Sequence, residues 1–252
     1  MPQNKILVTG DMGFIGTHLS RTLKAEGFEV FGCDWQANED FAYLTHEDLV
    51  NYKMVVHLAG SANVRESIEN PDLYLQNNAV KTKELQLKCF VSGTPLLYAS
   101  SSSAYVWEKT PYGASKKMTE LTAQPGQVGL RFGTVYGQGA RDTMLISRML
   151  NGTLSYGTRH FRDFVYVGDI VEAIMIFVRE GLQGKQPIYD VGTGNAISIE
   201  ELCKIYDPKI DIIEGFDFEA SNNMMPSIEI KKLGWSPITD VRDYVKHLKG
   251  II

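Results

Sequence analysis

Cysteine is scarce. The 252 residues hold three, Cys33, Cys89 and Cys203, too far apart for a CxxC pair or a Cys/His cluster. That excludes a zinc site and a disulfide framework and leaves three reduced, buried thiols, with no metal site expected. No apolar run reaches the ~20 residues that a membrane-spanning helix needs. The N-terminus, MPQNKILVTG, runs straight into an apolar strand without a signal-peptide pattern. No basic run dominates any segment, and the net charge of −5 argues against a nucleic-acid partner. Repeats and low-complexity tracts are also missing. The expectation is a cytoplasmic protein with neither a membrane nor a nucleic acid as partner.

What is present is a composition that can bury a core, 44% hydrophobic and 22% charged, in a length suited to one large domain or a domain with a small lobe. Lys5–Thr9 (KILVT) is a short β-branched run ended by glycine, which predicts a buried strand. Phe14, Ile15, Leu19 and Leu23 have helical spacing over 14–24, and Gly27 stops that helix. Further strands are predicted at Glu29–Cys33, 54–58, 96–100, Val128–Phe132 and Ile188–Val191, with helices at 75–90 and 112–122. Alternating strands and helices imply right-handed crossovers, hence an α/β fold: a Rossmann-type doubly wound parallel sheet with a small C-terminal substrate-capping lobe. Residues 1–133 plus about 162–193 are expected to form the Rossmann domain, and about 134–161 and 194–252 the lobe.

The first strand leads into Gly10-Asp11-Met12-Gly13-Phe14-Ile15-Gly16, spaced G-x-x-G-x-x-G. Three glycines there serve a sharp turn, a close backbone approach to a pyrophosphate, and tight helix–sheet packing. The helix N-terminus that follows offers unpaired N–H groups and a favourable dipole, so the backbone from Gly10 through Met12, Gly13, Phe14 and Ile15 to Gly16 is the candidate phosphate cradle. Asp34 closes the second strand at about the ~20-residue separation expected of a ribose-binding acid. Its carboxylate would accept from ribose hydroxyls and repel a 2′-phosphate, which favours NAD over NADP.

These landmarks continue in order with His57-Leu58-Ala59-Gly60, Asn78, the run Ser100 to Ser103, Tyr112-Gly-Ala-Ser-Lys116, Leu130-Arg131-Phe132, Val135-Tyr136-Gly137 and Arg162-Asp163-Phe164-Val165-Tyr166-Val167. Over 5–199, with a weaker echo in Lys232 to Pro237, the chain resembles the NAD-dependent epimerase/dehydratase family of extended short-chain dehydrogenases. Tyr112 and Lys116 stand four apart on a predicted helix, on one face. A free tyrosine, with pKa ~10, is a poor base at neutral pH, and a nearby ammonium group favours its phenolate. The resemblance implies that Tyr112 takes a hydroxyl proton as the sugar carbon gives hydride to NAD, and that Lys116 also holds the nicotinamide ribose. It places the catalytic serine four residues before a tyrosine; Tyr105 makes that Ser101, with Ser102 as the neighbouring alternative. It also implies cofactor contacts from Leu58, Ala59, Gly60 and Asn78. Gly60 replaces a frequent alanine, and His57 reads as a packed core histidine.

Among the reactions of the resembling family, 4,6-dehydratases carry an Asp-Glu pair where this chain has Ser102 and Ser103. Uronate decarboxylases carry a glutamate, and 3,5-epimerase/reductases a cysteine, at the position of Ser103. What remains needs Ser, Tyr, Lys and NAD alone. A nucleotide-sugar 4-epimerase leads, followed by a nucleotide-sugar dehydrogenase or keto-sugar reductase. A non-catalytic NAD-binding regulator on the same fold is the reading from another class. On the substrate side, Arg162 matches the family arginine on the nucleotide diphosphate, and Thr134 stands where the family usually has asparagine. The family's second phosphate-binding arginine is absent from 218–226, so Arg141, Arg148 and Arg159 are candidate replacements. The short loops leave the family's two-helix dimer face, and with it a homodimer, open.

Overall fold

A computed structural model describes residues 4–250. Its centre is a six-stranded parallel sheet in the order Ile188–Val191, β5, β4, β3, β1, β2. The labelled strands are β1 Lys5–Thr9, β2 Glu29–Cys33, β3 Met54–His57, β4 Leu96–Ser101 and β5 Val128–Phe132. Their apolar β-branched runs suit burial on both faces, as a parallel sheet requires. The register aligns Thr9 with Cys33 on one side and with His57 on the other, and His57 with Tyr98. The carboxyl ends of β1, β2, β3 and β4 therefore finish at one edge.

The first helix, α1 (Phe14–Ala25), buries Leu19 and Leu23 of the predicted stripe together with Gly16, while Phe14 and Ile15 are half-buried. The Pro111–Thr122 helix starts where local chemistry says it should. Thr110 accepts from the Gly113 amide at 3.1 Å, and Pro111 sits in the first turn, where no N–H is needed. The helix predicted over 75–90 is longer and less regular. It begins at Pro71, passes through a π-helical stretch over Leu75–Val80, and ends as Lys81–Ser92 before left-handed Gly93. A hydroxyl from another helix explains how the π stretch is tolerated: Thr119 Oγ1 donates to the Asn78 carbonyl at 2.8 Å.

The helix Val167–Glu180 escapes the sequence reading. Ile170, Ala173, Ile174, Phe177 and Val178 are all buried. Glu172, Arg179 and Glu180 are exposed, so the helix keeps an apolar face at helical spacing that the sequence reading passes over. No helix among the described residues is long and apolar enough to cross a membrane.

The chain forms two compact units, 1–131 with 174–189, and 132–173 with 190–252. The second takes in 162–173, which the sequence reading assigns to the Rossmann domain. The first unit has a core cluster around Leu7, Leu49, Val55, Leu85 and Leu96. The second is built on three two-stranded pairings and a cluster that includes Tyr136, Phe164, Leu202 and Val245.

One buried carboxylate ties the second unit together. Asp163, fully buried, accepts from Thr193 N (2.7 Å), Thr193 Oγ1 (2.6 Å), Gly194 N (2.9 Å) and Met225 N (3.0 Å). Four donors from two separate loops satisfy an anion that would otherwise be costly to bury. The Leu233-Gly234-Trp235 echo is structural as well: the buried Trp235 indole donates to the Asp169 carbonyl at 2.8 Å. Asp163→Ala leaves those donors unpaired and should lower stability by about 3 kcal/mol, read as a shifted urea midpoint. A midpoint within error of wild type would contradict this role.

Candidate active site

The glycine turn has the shape that a dinucleotide cradle requires. Gly10 has φ +74°, and a Cβ there would lie 2.6 Å from the Ala59 nitrogen. A Cβ on Gly16 would lie 2.0 Å from the Gly10 carbonyl oxygen. Both positions therefore demand glycine, for backbone conformation at the first and helix–turn contact at the second. Gly13 is the N-cap of α1, and no side chain caps that helix, so its first N–H groups face the turn unclaimed by a cap. Phe14 and Ile15 open this helix, and Met12 projects outward. These features fit a bound pyrophosphate.

Asp34 is buried at the end of β2. Its Oδ1 accepts from the Gln36 amide at 2.9 Å, which caps a short 3-10 turn and fixes the carboxylate while leaving it further acceptor capacity. At the end of β3, the Leu58 amide donates to the Thr9 carbonyl (3.0 Å) and the Ala59 amide to the Thr9 hydroxyl (3.4 Å). Gly60, where the family frequently has alanine, is not interchangeable with it. Its φ is +149°, and a Cβ would approach Asn78 Oδ1 to 2.8 Å.

Asn78 is buried in the π stretch and fully engaged. Its Oδ1 accepts from the Ser61 amide (2.8 Å), and its Nδ2 donates to the Ser61 carbonyl (2.8 Å) and Ser115 Oγ (3.1 Å). It thus joins the loop after β3 to the Pro111–Thr122 helix. That helix carries Tyr112 and Lys116, 8% and 7% exposed. The Tyr112 ring packs edge-on against Tyr74 at 6.2 Å. Lys116 Nζ donates to the Ala99 carbonyl at 3.0 Å, two residues before Ser101. Burial disfavours the ammonium and lowers its pKa to about 8, against a smaller opposing pull from Glu120. Ser101 and Ser102 are buried at the end of β4, and Ser101 Oγ accepts from the Ser103 amide at 3.1 Å. That bond orients the Ser101 oxygen and leaves its O–H to donate elsewhere.

The motif reading passes over a network that fixes this helix. Glu120, one turn beyond Lys116, accepts from Arg131 Nε and Nη2 at 2.7 Å each and from Ser100 Oγ at 2.7 Å. The Arg131 guanidinium also stacks on Tyr105, 4.4 Å from its ring centre. The signal was a glutamate at the i+4 position from the lysine. His57 is the core histidine that the sequence indicates. Its Nδ1 pairs with Thr9 Oγ1 (2.6 Å) and its Nε2 with Thr82 Oγ1 (2.9 Å). Burial, and secondly the Lys116 charge, push its pKa down to about 3, so the ring is neutral.

In the second unit, Thr134 Oγ1 accepts from Asn223 Nδ2 at 3.2 Å. Arg162 pairs with Glu219 at 3.0 Å rather than with its neighbour Asp163. Of the candidate replacement cations, Arg159 pairs with Glu214 (2.8 Å) and Glu200 (3.4 Å), and Arg148 Nη2 donates to Thr153 O (3.3 Å) and Ser155 Oγ (3.1 Å).

Comparison with known proteins gives the family. The model of the NAD dependent epimerase/dehydratase family matches residues 6–192. Protein CapI of Staphylococcus aureus is 30% identical, over 82% of this chain and 83% of its own length. A UDP-glucuronate 4-epimerase of Thermodesulfobacterium geofontis is 28% identical, over 95% and 93%. The structure of MoeE5 in complex with UDP-glucose and NAD superposes with a TM-score of 0.87 at 27% identity, covering 98% of this chain and 99% of that one. The chain belongs to the NAD dependent epimerase/dehydratase family and is an NAD-dependent enzyme.

Titrated by 15N NMR in the free protein, Lys116 Nζ should lose its proton at about pH 8. Above that pH the folded chain has released a proton that the unfolded chain keeps until the usual lysine range. The burial penalty is thereby relieved, and stability rises with pH across that window. A midpoint at an ordinary lysine value would contradict the buried placement.

Proposed function

We propose that the protein is a nucleotide-sugar 4-epimerase whose catalytic groups are Ser101, Tyr112 and Lys116. The observation that carries the reading is the meeting of buried Lys116 and Asn78 with the end of β4, beside the exposed Gly60 and with Tyr112 one turn before Lys116. The relatives that resemble the chain over nearly all its length include UDP-glucuronate 4-epimerases, and MoeE5 holds UDP-glucose beside NAD.

Gly10, Met12, Gly13, Phe14, Ile15 and Gly16 would hold the pyrophosphate of NAD. Asp34 would hold the adenosine ribose, and Leu58, Ala59, Gly60, Asn78 and Lys116 the nicotinamide half. NAD, when bound, supplies a hydride acceptor that can return the same hydride. Tyr112 Oη takes the proton of the sugar 4-hydroxyl as that carbon is oxidised and gives it back after the keto-sugar turns its other face. The Lys116 ammonium favours the phenolate that receives this proton. Ser101 Oγ donates to the sugar oxygen as its charge changes, and Ser102 lies beside it as a further polar contact. Because Ser102 and Ser103 carry no carboxylate or thiol, nothing beside Ser101 serves elimination, decarboxylation or C3/C5 deprotonation.

In this reading the first compact unit is the cofactor domain, and the second supplies substrate contacts from Arg162 and Thr134. Three free, buried cysteines suit a reducing compartment, and we place the enzyme in the cytoplasm, in carbohydrate metabolism.

The test is to incubate the protein with a panel of UDP-sugars and follow C4 stereochemistry by 1H NMR. Interconversion of one C4 pair is expected. Tyr112→Phe should lower turnover by at least about 10²-fold while NAD binding, measured by calorimetry, persists. Wild-type turnover in Tyr112→Phe would overturn the mechanism. NAD binding without turnover of any sugar would overturn the function.

A further inference from the structure

The proposed chemistry gives a task to Arg162 but none to the charged groups packed against it, and the inference drawn from them rests on the reading of Arg162 as a diphosphate contact. The side chains of Arg162, Glu219 and His160 are only 14%, 14% and 10% exposed. Arg162 Nη1 donates to the carbonyls of Phe161 (2.9 Å) and Ala220 (2.6 Å). Its Nη2 donates to Glu219 Oε2 (3.0 Å) and faces His160 Nδ1 (3.3 Å). A guanidinium has five N–H donors in a rigid fork, and it takes two phosphate oxygens through a pair of them. Both terminal nitrogens of Arg162 are already committed within this unit, and the anion on the fork is a carboxylate.

The backbone around Glu219 is fixed independently of that carboxylate. The Phe161 amide donates to the Ser221 carbonyl (2.8 Å), and the Asp163 amide to Asn223 Oδ1 (2.8 Å). On the other side of Glu219, a Cβ on Gly215 would meet the His160 ring at 2.5 Å. The segment thus packs against the strand that carries Arg162 without help from Glu219, whose side chain can turn away while the loop stays. The same stretch lacks any arginine and contributes Asp217 and Glu219 instead.

We propose that Glu219 is a specificity-determining residue: an internal anion that occupies the Arg162 fork and that the substrate diphosphate must displace. The exchange is anion for anion. Phosphate oxygens take the Nη2 donors, Glu219 turns toward water, and no covalent bond changes. A diphosphate, with its greater charge, competes successfully where a lone carboxylate gains nothing over Glu219. The residue thereby weakens binding overall and selects for the diphosphate.

Calorimetry of UDP binding to the NAD-loaded protein tests this in wild type, Glu219→Gln and Arg162→Ala. Glutamine keeps an acceptor oxygen for Nη2 and removes only the charge, so Glu219→Gln should bind UDP about tenfold more tightly, and Arg162→Ala more weakly than wild type. Glu219→Asp, whose shorter side chain falls back from the fork, serves as a second variant and should also bind more tightly. If Arg162→Ala weakens UDP binding while both Glu219 variants bind no better than wild type, the role of Glu219 is overturned and the reading of Arg162 stands. If Arg162→Ala binds UDP as wild type does, the reading of Arg162 itself fails.

Discussion

The helix of Tyr112 and its neighbours are arranged around one buried ammonium. Lys116 is held at the end of β4 by a single carbonyl, that of Ala99, in surroundings that disfavour its charge. A lysine there is tolerable because Glu120 partly offsets the desolvation, and Glu120 is in turn held by Arg131 and Ser100. The paired Glu120 carboxylate ties the helix that carries Tyr112 to β4 and β5. Thr119 and Asn78 fix the same helix from the other side, at the cost of a π-helical register in the neighbouring segment. An irregular turn of helix at the asparagine that joins these segments is what such a constraint produces.

The second unit solves its electrostatics differently. Asp163 is fully buried without a cation and relies on four neutral donors, so it acts as a clamp between loops. Its neighbour Arg162 is less buried and pairs with an anion from a loop that is anchored by other bonds. One residue of the Arg162-Asp163 motif therefore holds the structure, and its neighbour carries an exchangeable partner. The sequence reading gives a role to Arg162 alone, and burial adds a structural one for Asp163.

The glycine turn, the strand series and the Tyr112/Lys116 helix were legible because each follows from local rules. Glycine at Gly10 and Gly16 has no substitute, Thr110-Pro111 starts a helix, and apolar runs bounded by turns make buried strands. The Val167–Glu180 helix carries the same kind of signal, apolar Ile170, Ala173, Ile174, Phe177 and Val178 against exposed Glu172 and Arg179, and was passed over. The π stretch was missed because its cause, the Thr119 hydroxyl, lies 41 residues away in sequence. The Glu120–Arg131 and Arg162–Glu219 pairs are likewise contacts between distant segments, and a single sequence does not reveal them. His57 shows the reverse: its apolar flanks marked it as a core residue, and two threonine hydroxyls complete it there.

The central claim is that the sugar carbon gives up and regains the same hydride while Tyr112 carries only the hydroxyl proton. A UDP-sugar deuterated at C4, epimerised in ordinary water and analysed by mass spectrometry and 2H NMR, tests it directly. The account predicts product that keeps its deuterium at C4 with inverted configuration. Deuterium lost to solvent would mean that C4 is deprotonated rather than oxidised, and would contradict the account.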